Sequence, residues 1–83
     1  MAVLSEREKE ILQLVANGFT NREISLFCDI HYHTVKNHLT TIYRKLHTES
    51  RIEAVIYAAY LGLIDLEIAQ HSIKSRIKSR YLI

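Results

Sequence analysis

The sequence predicts an all-α fold, and three observations carry that prediction. Proline is absent, and only Gly18 and Gly62 are residues whose type alone favours ending a helix. A hydroxyl residue precedes a glutamate by three positions at Ser5/Glu8, Thr20/Glu23 and Ser50/Glu53, each pair opening an apolar pattern. Val35, Leu39, Ile42 and Leu46 recur at spacings of four, three and four, which gathers them into one stripe at about 100° per residue. Strand signals are poor by contrast: no stretch alternates apolar and polar residues for long, and no Asn-Gly or Asp-Gly turn occurs.

Each helix start has the chemistry of a capping box. The hydroxyl accepts from a backbone N–H of the first turn, the glutamate reaches back to the cap residue's own N–H, and its charge suits the positive end of the helix. The first helix is expected over residues 6–17, stopping at Gly18, which takes the left-handed conformation easily. The second covers 21–28 and the third about 32–46. The fourth covers 51–61 and stops at Gly62. A fifth is expected behind Asp65 as its cap, with Leu66, Ala69, Ile73, Ile77 and Tyr81 at helical spacing and the helix packed on the fourth.

Eighty-three residues with a net charge of +2 and 48% hydrophobic side chains suit one small domain. A chain this short buries only about 60% of its unfolded surface, so a self-associating face would help stabilise it. No motif for a nucleophile, base and oxyanion site is present, and an enzyme is not expected. No apolar run approaches the roughly 20 residues that cross a bilayer, and the N-terminus lacks the basic and apolar regions of a secretion signal. With Cys28 unable to pair internally, the expected location is the cytoplasm and no membrane partner is expected.

The third helix carries the functional signal. Its flank opposite the apolar stripe holds His33, Lys36, Asn37, Thr40, Arg44 and His47, with no aliphatic residue among them. A short helix, a three-residue connection (Asp29, Ile30, His31) and a longer helix with a polar outer face is the layout of a helix-turn-helix, whose second helix enters the DNA major groove. Lys36 can donate to guanine O6/N7, Asn37 can pair with adenine, and Thr40 can bond either base or meet a thymine methyl. An ordinary solvated face would have much the same composition.

The segments Leu4-Ser5-Glu6-Arg7-Glu8, Ala16-Asn17-Gly18, Thr20-Asn21-Arg22-Glu23-Ile24, Thr34-Val35-Lys36-Asn37-His38-Leu39, Ile42-Tyr43-Arg44-Lys45-Leu46, Arg51-Ile52-Glu53-Ala54-Val55 and Gly62-Leu63-Ile64 closely resemble the LuxR-type (LuxR/FixJ/NarL) helix-turn-helix domain of bacterial transcription regulators. The resemblance implies a four-helix domain over residues 1–64, sequence-specific binding to double-stranded DNA, and dimerisation through the fourth helix. By position it implies His33, Lys36, Asn37 and Thr40 as base-reading residues. Thr20, Asn21, Thr34, Arg44 and Lys45 take the positions of phosphate contacts or of caps that aim N–H groups at phosphates. Ile52, Ile56 and Tyr60 form a second apolar stripe outside the family's core positions, which reads as a homodimer seam, with packing under the C-terminal segment as the alternative. Such a dimer offers two third helices to half-sites about one helical turn apart.

Four departures from the family pattern stand out. His31 replaces the usual hydroxyl cap of the recognition helix, so that end is expected to fray, and His47 replaces the glycine that commonly ends it. Cys28 and Ser25 stand where leucine and alanine are usual. Two-component members carry a receiver domain, which these residues lack; the expectation is a small regulator or the output domain of a larger one. Its activity would be set by abundance, by RNA polymerase or a regulatory protein as partner, or by a further portion of chain.

Other readings use the same residues. A helix-turn-helix can serve as a protein-docking or anti-activator module, and region four of sigma factors shares a Thr-Val recognition segment, although the match over 51–64 favours the LuxR type. Clustered histidines invite a metal, but His33 and His38 lie five apart and point about 140° away from each other on a helix, so neither metal nor cofactor is expected. Protonation of His31 and His33 near pH 6 would add charge facing DNA. Residues 65–83 form a basic helical extension holding Lys74, Arg76, Lys78 and Arg80 against Asp65 and Glu67, whereas residues 1–64 balance seven basic against seven acidic side chains. Solvation is the favoured fate of that basic cluster, with DNA phosphates or a protein as alternatives.

Overall fold

The computed structural model describes the backbone of residues 3–81 and the side chains of residues 3–73. Five helices follow one another, α1 (Glu6–Ala16), α2 (Asn21–Cys28), α3 (Tyr32–Leu46), α4 (Arg51–Tyr60) and α5 (Leu66–Tyr81), and the described residues contain no strand. The boundaries of α2 and α3 are those the capping and periodicity arguments predict; α1 and α4 each end one residue sooner.

The starts are set by local chemistry. Ser5 and Thr20 form complete capping boxes with Glu8 and Glu23, and at α4 the Ser50 hydroxyl accepts from the Glu53 N–H. Asp65 caps α5, its Oδ1 accepting from the N–H groups of Glu67 at 2.8 Å and Ile68 at 3.2 Å. The ends are equally regular. Helices α1 to α4 all close with a left-handed residue just past the helix, at Gly18, Asp29, His47 and Gly62, and the next N–H reaches back across the last turn to Leu14, Ser25, Tyr43 and Ala58 respectively. His47 therefore keeps the left-handed stop that its replacement of glycine was expected to remove.

Helix α3 runs through the middle of the domain and packs on α1, α2 and α4. Val35, Leu39, Ile42 and Leu46 are all buried, as the stripe predicts, and meet Ile11, Leu12 and Ile24. Cys28 is partly buried against the same core.

The fifth helix was expected on α4; over its described residues its main packing partner is α1. The Gln13 side chain grips the start of α5 at both backbone atoms of Asp65, donating to the carbonyl at 2.9 Å and accepting from the N–H at 2.7 Å. Further along, the Ser72 hydroxyl donates to the Asn17 carbonyl. The buried face is consequently centred on Ala69, while Leu66 and Ile73 stay exposed. Ile77, Tyr81 and the basic side chains Lys74, Arg76, Lys78 and Arg80 lie outside the described side chains.

A candidate nucleic-acid interface

The leading end of α3 is capped in a way the sequence reading underrated. His31 is extended, and its Nδ1 accepts from the N–H of His33 at 3.1 Å, so imidazole performs the task usual for a hydroxyl. The bond needs an unprotonated Nδ1. The His31 ring also stacks nearly parallel on His33, with 5.3 Å between centroids. These contacts hold the first turn of α3 where fraying was expected.

Along the outer flank of α3, His33, Lys36, Asn37, Thr40, Arg44 and then His47 are exposed. Anchoring the opposite flank in the core leaves this face turned outward. The Thr40 hydroxyl donates to the Lys36 carbonyl at 3.0 Å, which spends its hydrogen and leaves its lone pairs and methyl group as what it offers a partner. Thr41 makes the same bond to Asn37 and is half-buried beside the face.

The residues with expected phosphate roles lie in three places. Thr20 and Asn21 stand at the start of α2, in an open notch that Arg22, Tyr32 and Arg51 also line. The Thr20 hydroxyl accepts from Glu23 and keeps its own hydrogen to donate. Arg51 donates to the Asn21 side-chain oxygen and to the Phe19 carbonyl, each at 2.7 Å, which fixes the Asn21 amide and leaves its nitrogen as donor. Thr34 is half-buried in the first turn of α3, and Arg44 is exposed in its last turn.

Lys45 has partners within the chain. Its ammonium donates to Glu8 Oε1 at 2.8 Å and to the Val3 carbonyl at 3.3 Å, tying the end of α3 to the start of α1. One of its three hydrogens remains for a phosphate. Burial pushes the Glu8 carboxyl up, but the hydrogen bonds from Lys45 and the Ser5 N–H, with the lysine's charge, outweigh it and hold the group below its ordinary value.

Helix α4 presents a different surface. Ile52, Ile56 and Tyr60 are exposed at 72%, 64% and 83%, and Tyr57 and Leu61 border them. Ile73 of α5 reaches the edge of this patch, where it shares a shallow groove with Ile52 and Ile56. Among the described residues no helix is long and apolar enough to cross a membrane.

Sequence reasoning missed Tyr32, Arg51 and the Lys45–Glu8 pair. The first was accessible, because Tyr32 and Lys36 are four apart on one helix. The others join positions 30 and 37 residues apart and have no local signature.

Comparison with known proteins agrees with this fold. The family model described as "Bacterial regulatory proteins, luxR family" matches residues 2–58. Over 63 residues, 76% of this chain, the sequence is 47% identical to the response regulator protein VraR of Staphylococcus aureus, and equally to VraR of Staphylococcus saprophyticus and Staphylococcus epidermidis. The chain spans about 30% of the length of these relatives. A solved structure of the transcription factor GerE superposes with a TM-score of 0.73 at 33% identity, covering 76% of this chain and 94% of that one. The chain belongs to the luxR family of bacterial regulatory proteins, as a helix-turn-helix domain of the kind that binds DNA and regulates transcription.

Proposed function

We infer that the chain is a sequence-specific, homodimeric DNA-binding regulator that works in the cytoplasm, with α3 lying in the major groove. The observation that carries this reading is the flank of α3, entirely hydrophilic and exposed while its opposite flank is buried against three other helices. His33, Lys36, Asn37 and Thr40 read bases. Thr20, Asn21, Thr34 and Arg44 hold phosphates. Lys45 is first a brace for Glu8, with its remaining hydrogen directed to the DNA backbone. Two copies pair through Ile52, Ile56 and Tyr60, and residues 65–83 are an extension of the domain 1–64, held to α1 at Asp65 and Ser72.

The test begins with selection of bound duplexes from fragmented bacterial DNA, followed by titration of the selected and a random duplex of equal length. The expected result is a preference of at least about 10³ for the selected duplex at physiological salt. Equal affinity for both would remove sequence-specific reading. No binding to either would favour a protein-docking module.

A further inference from the structure

The first turns of α3 hold a contiguous set of rings and a cation. Tyr32 meets His33 edge-on at 5.9 Å between centroids, His33 stacks on His31, and the Lys36 ammonium lies over the Tyr32 ring at 5.9 Å from its centre. Tyr32 is 43% exposed, and His31, His33 and Lys36 are exposed as well, so this is surface architecture and adds little to the core. Tyr32 also lines the notch at the start of α2.

Resting on the reading of α3 as the base-reading helix, we propose that Tyr32 is a specificity-determining positioning residue that holds Lys36, and with it His33, ready for the base edges before DNA arrives. Lysine has a four-carbon flexible stem, and its ammonium pairs with any phosphate it reaches. Helical side chains lean toward the helix N-terminus, so an ammonium over Tyr32 sits above the leading turn, the part of a recognition helix that contacts bases. A ring beneath it attracts the charge through its electron-rich face and narrows the positions it samples. Without the ring the same lysine remains attractive to DNA, but as a phosphate contact without sequence information. Tyr32 therefore determines whether the charge of Lys36 discriminates.

The experiment compares wild type, Tyr32→Phe and Tyr32→Leu in the full chain, on the selected duplex and on a random duplex. Tyr32→Leu is expected to lower the affinity ratio about two- to five-fold, the size of an exposed cation–π contact, while random-duplex affinity is unchanged or rises. Tyr32→Phe keeps the ring and should keep the ratio. Proton NMR of the free protein supplies a readout of the positioning itself: the Lys36 side-chain methylene signals should lie upfield from ring current in wild type and Tyr32→Phe, and return to ordinary positions in Tyr32→Leu. An unchanged ratio in Tyr32→Leu, an equal loss on both duplexes, or the absence of the upfield signals in wild type would each overturn the proposal. Failure of wild type to prefer any duplex would instead overturn the DNA reading beneath it.

Discussion

Helices α3 and α4 pack on each other and on α1, yet they divide their residues in opposite ways. Helix α3 buries its large aliphatic residues, Val35, Leu39, Ile42 and Leu46, and exposes polar ones. Helix α4 buries Ala54 and Ala58 completely and exposes Ile52, Ile56, Tyr57 and Tyr60. Small residues bring the α4 backbone close to the core, and the bulk that an amphipathic helix usually hides is left outside. The first surface suits a charged, hydrogen-bonding polymer. The second suits another apolar protein surface, since covering each large apolar side chain fully is worth about 1.5–3 kcal/mol.

Identical chemistry on the two helices gives the largest expected contrast. Ile42→Ala should destabilise the fold by about 2–5 kcal/mol, because Ile42 is fully buried and its removal leaves a cavity that the surroundings fill only in part. Ile56→Ala, measured at a concentration low enough to keep the protein monomeric, should change stability by no more than about 0.5 kcal/mol. Thermal unfolding by circular dichroism checks both. Similar losses in the two variants would mean that α4 is not a free face.

On the polar flank of α3, Lys36→Ala and Asn37→Ala should each cost about 1–3 kcal/mol of discrimination between selected and random duplexes, with unfolding temperature nearly unchanged. On α4 the matching disruption is Ile56→Asp. A charge inside the proposed seam should weaken dimer formation by about tenfold or more, read by sedimentation equilibrium, and leave the monomer folded. If Ile56→Asp reduced discrimination while the mass stayed constant, the division of labour between the two helices would be wrong.

The far end of α3 sharpens the comparison through Lys45, which is polar yet serves the fold. Lys45→Met should cost about 1–2 kcal/mol, less than for a fully buried pair, since the lysine is 37% exposed and solvent screens it. The sign with pH follows from the lowered Glu8 carboxyl. Its stabilisation is complete above the ordinary carboxylate value of 4.5 and disappears as pH falls through the lower value in the folded protein. The gap between wild type and Lys45→Met should therefore close on acidification. A gap constant from pH 7 to pH 2 would exclude the ion pair as its source.

What the sequence made legible was what neighbours along the chain decide. Caps at Ser5, Thr20, Ser50 and Asp65 use residues two or three apart, and the α3 stripe is a matter of spacing, so these elements fell where expected. The side on which α5 packs depends on Gln13 meeting Asp65 from 52 positions away, which periodicity does not encode. Residue preferences also misled at single sites. Imidazole is an uncommon cap, but the ring nitrogen of His31 reaches the His33 N–H as a hydroxyl would.

A further contrast lies in how the two helices end. Helix α4 closes through Gly62 at φ 75°, and α3 closes through His47 at φ 54°, with the same pattern of backbone bonds behind each. A side chain in the left-handed region costs roughly 1–2 kcal/mol from the approach of Cβ to the following carbonyl, offset in part by the larger entropy that glycine loses on folding. His47→Gly should therefore stabilise the domain by about 1 kcal/mol, and Gly62→Ala should destabilise it by a similar amount. A Cβ at Gly62 would meet no atom within 4 Å, so its loss would come from the backbone alone. Opposite shifts of about 4–8 °C in unfolding temperature are the expected outcome for a domain of this size. If His47→Gly were destabilising instead, the imidazole would have to be making a contact worth more than the strain, and the end of α3 would be the place to look for its partner.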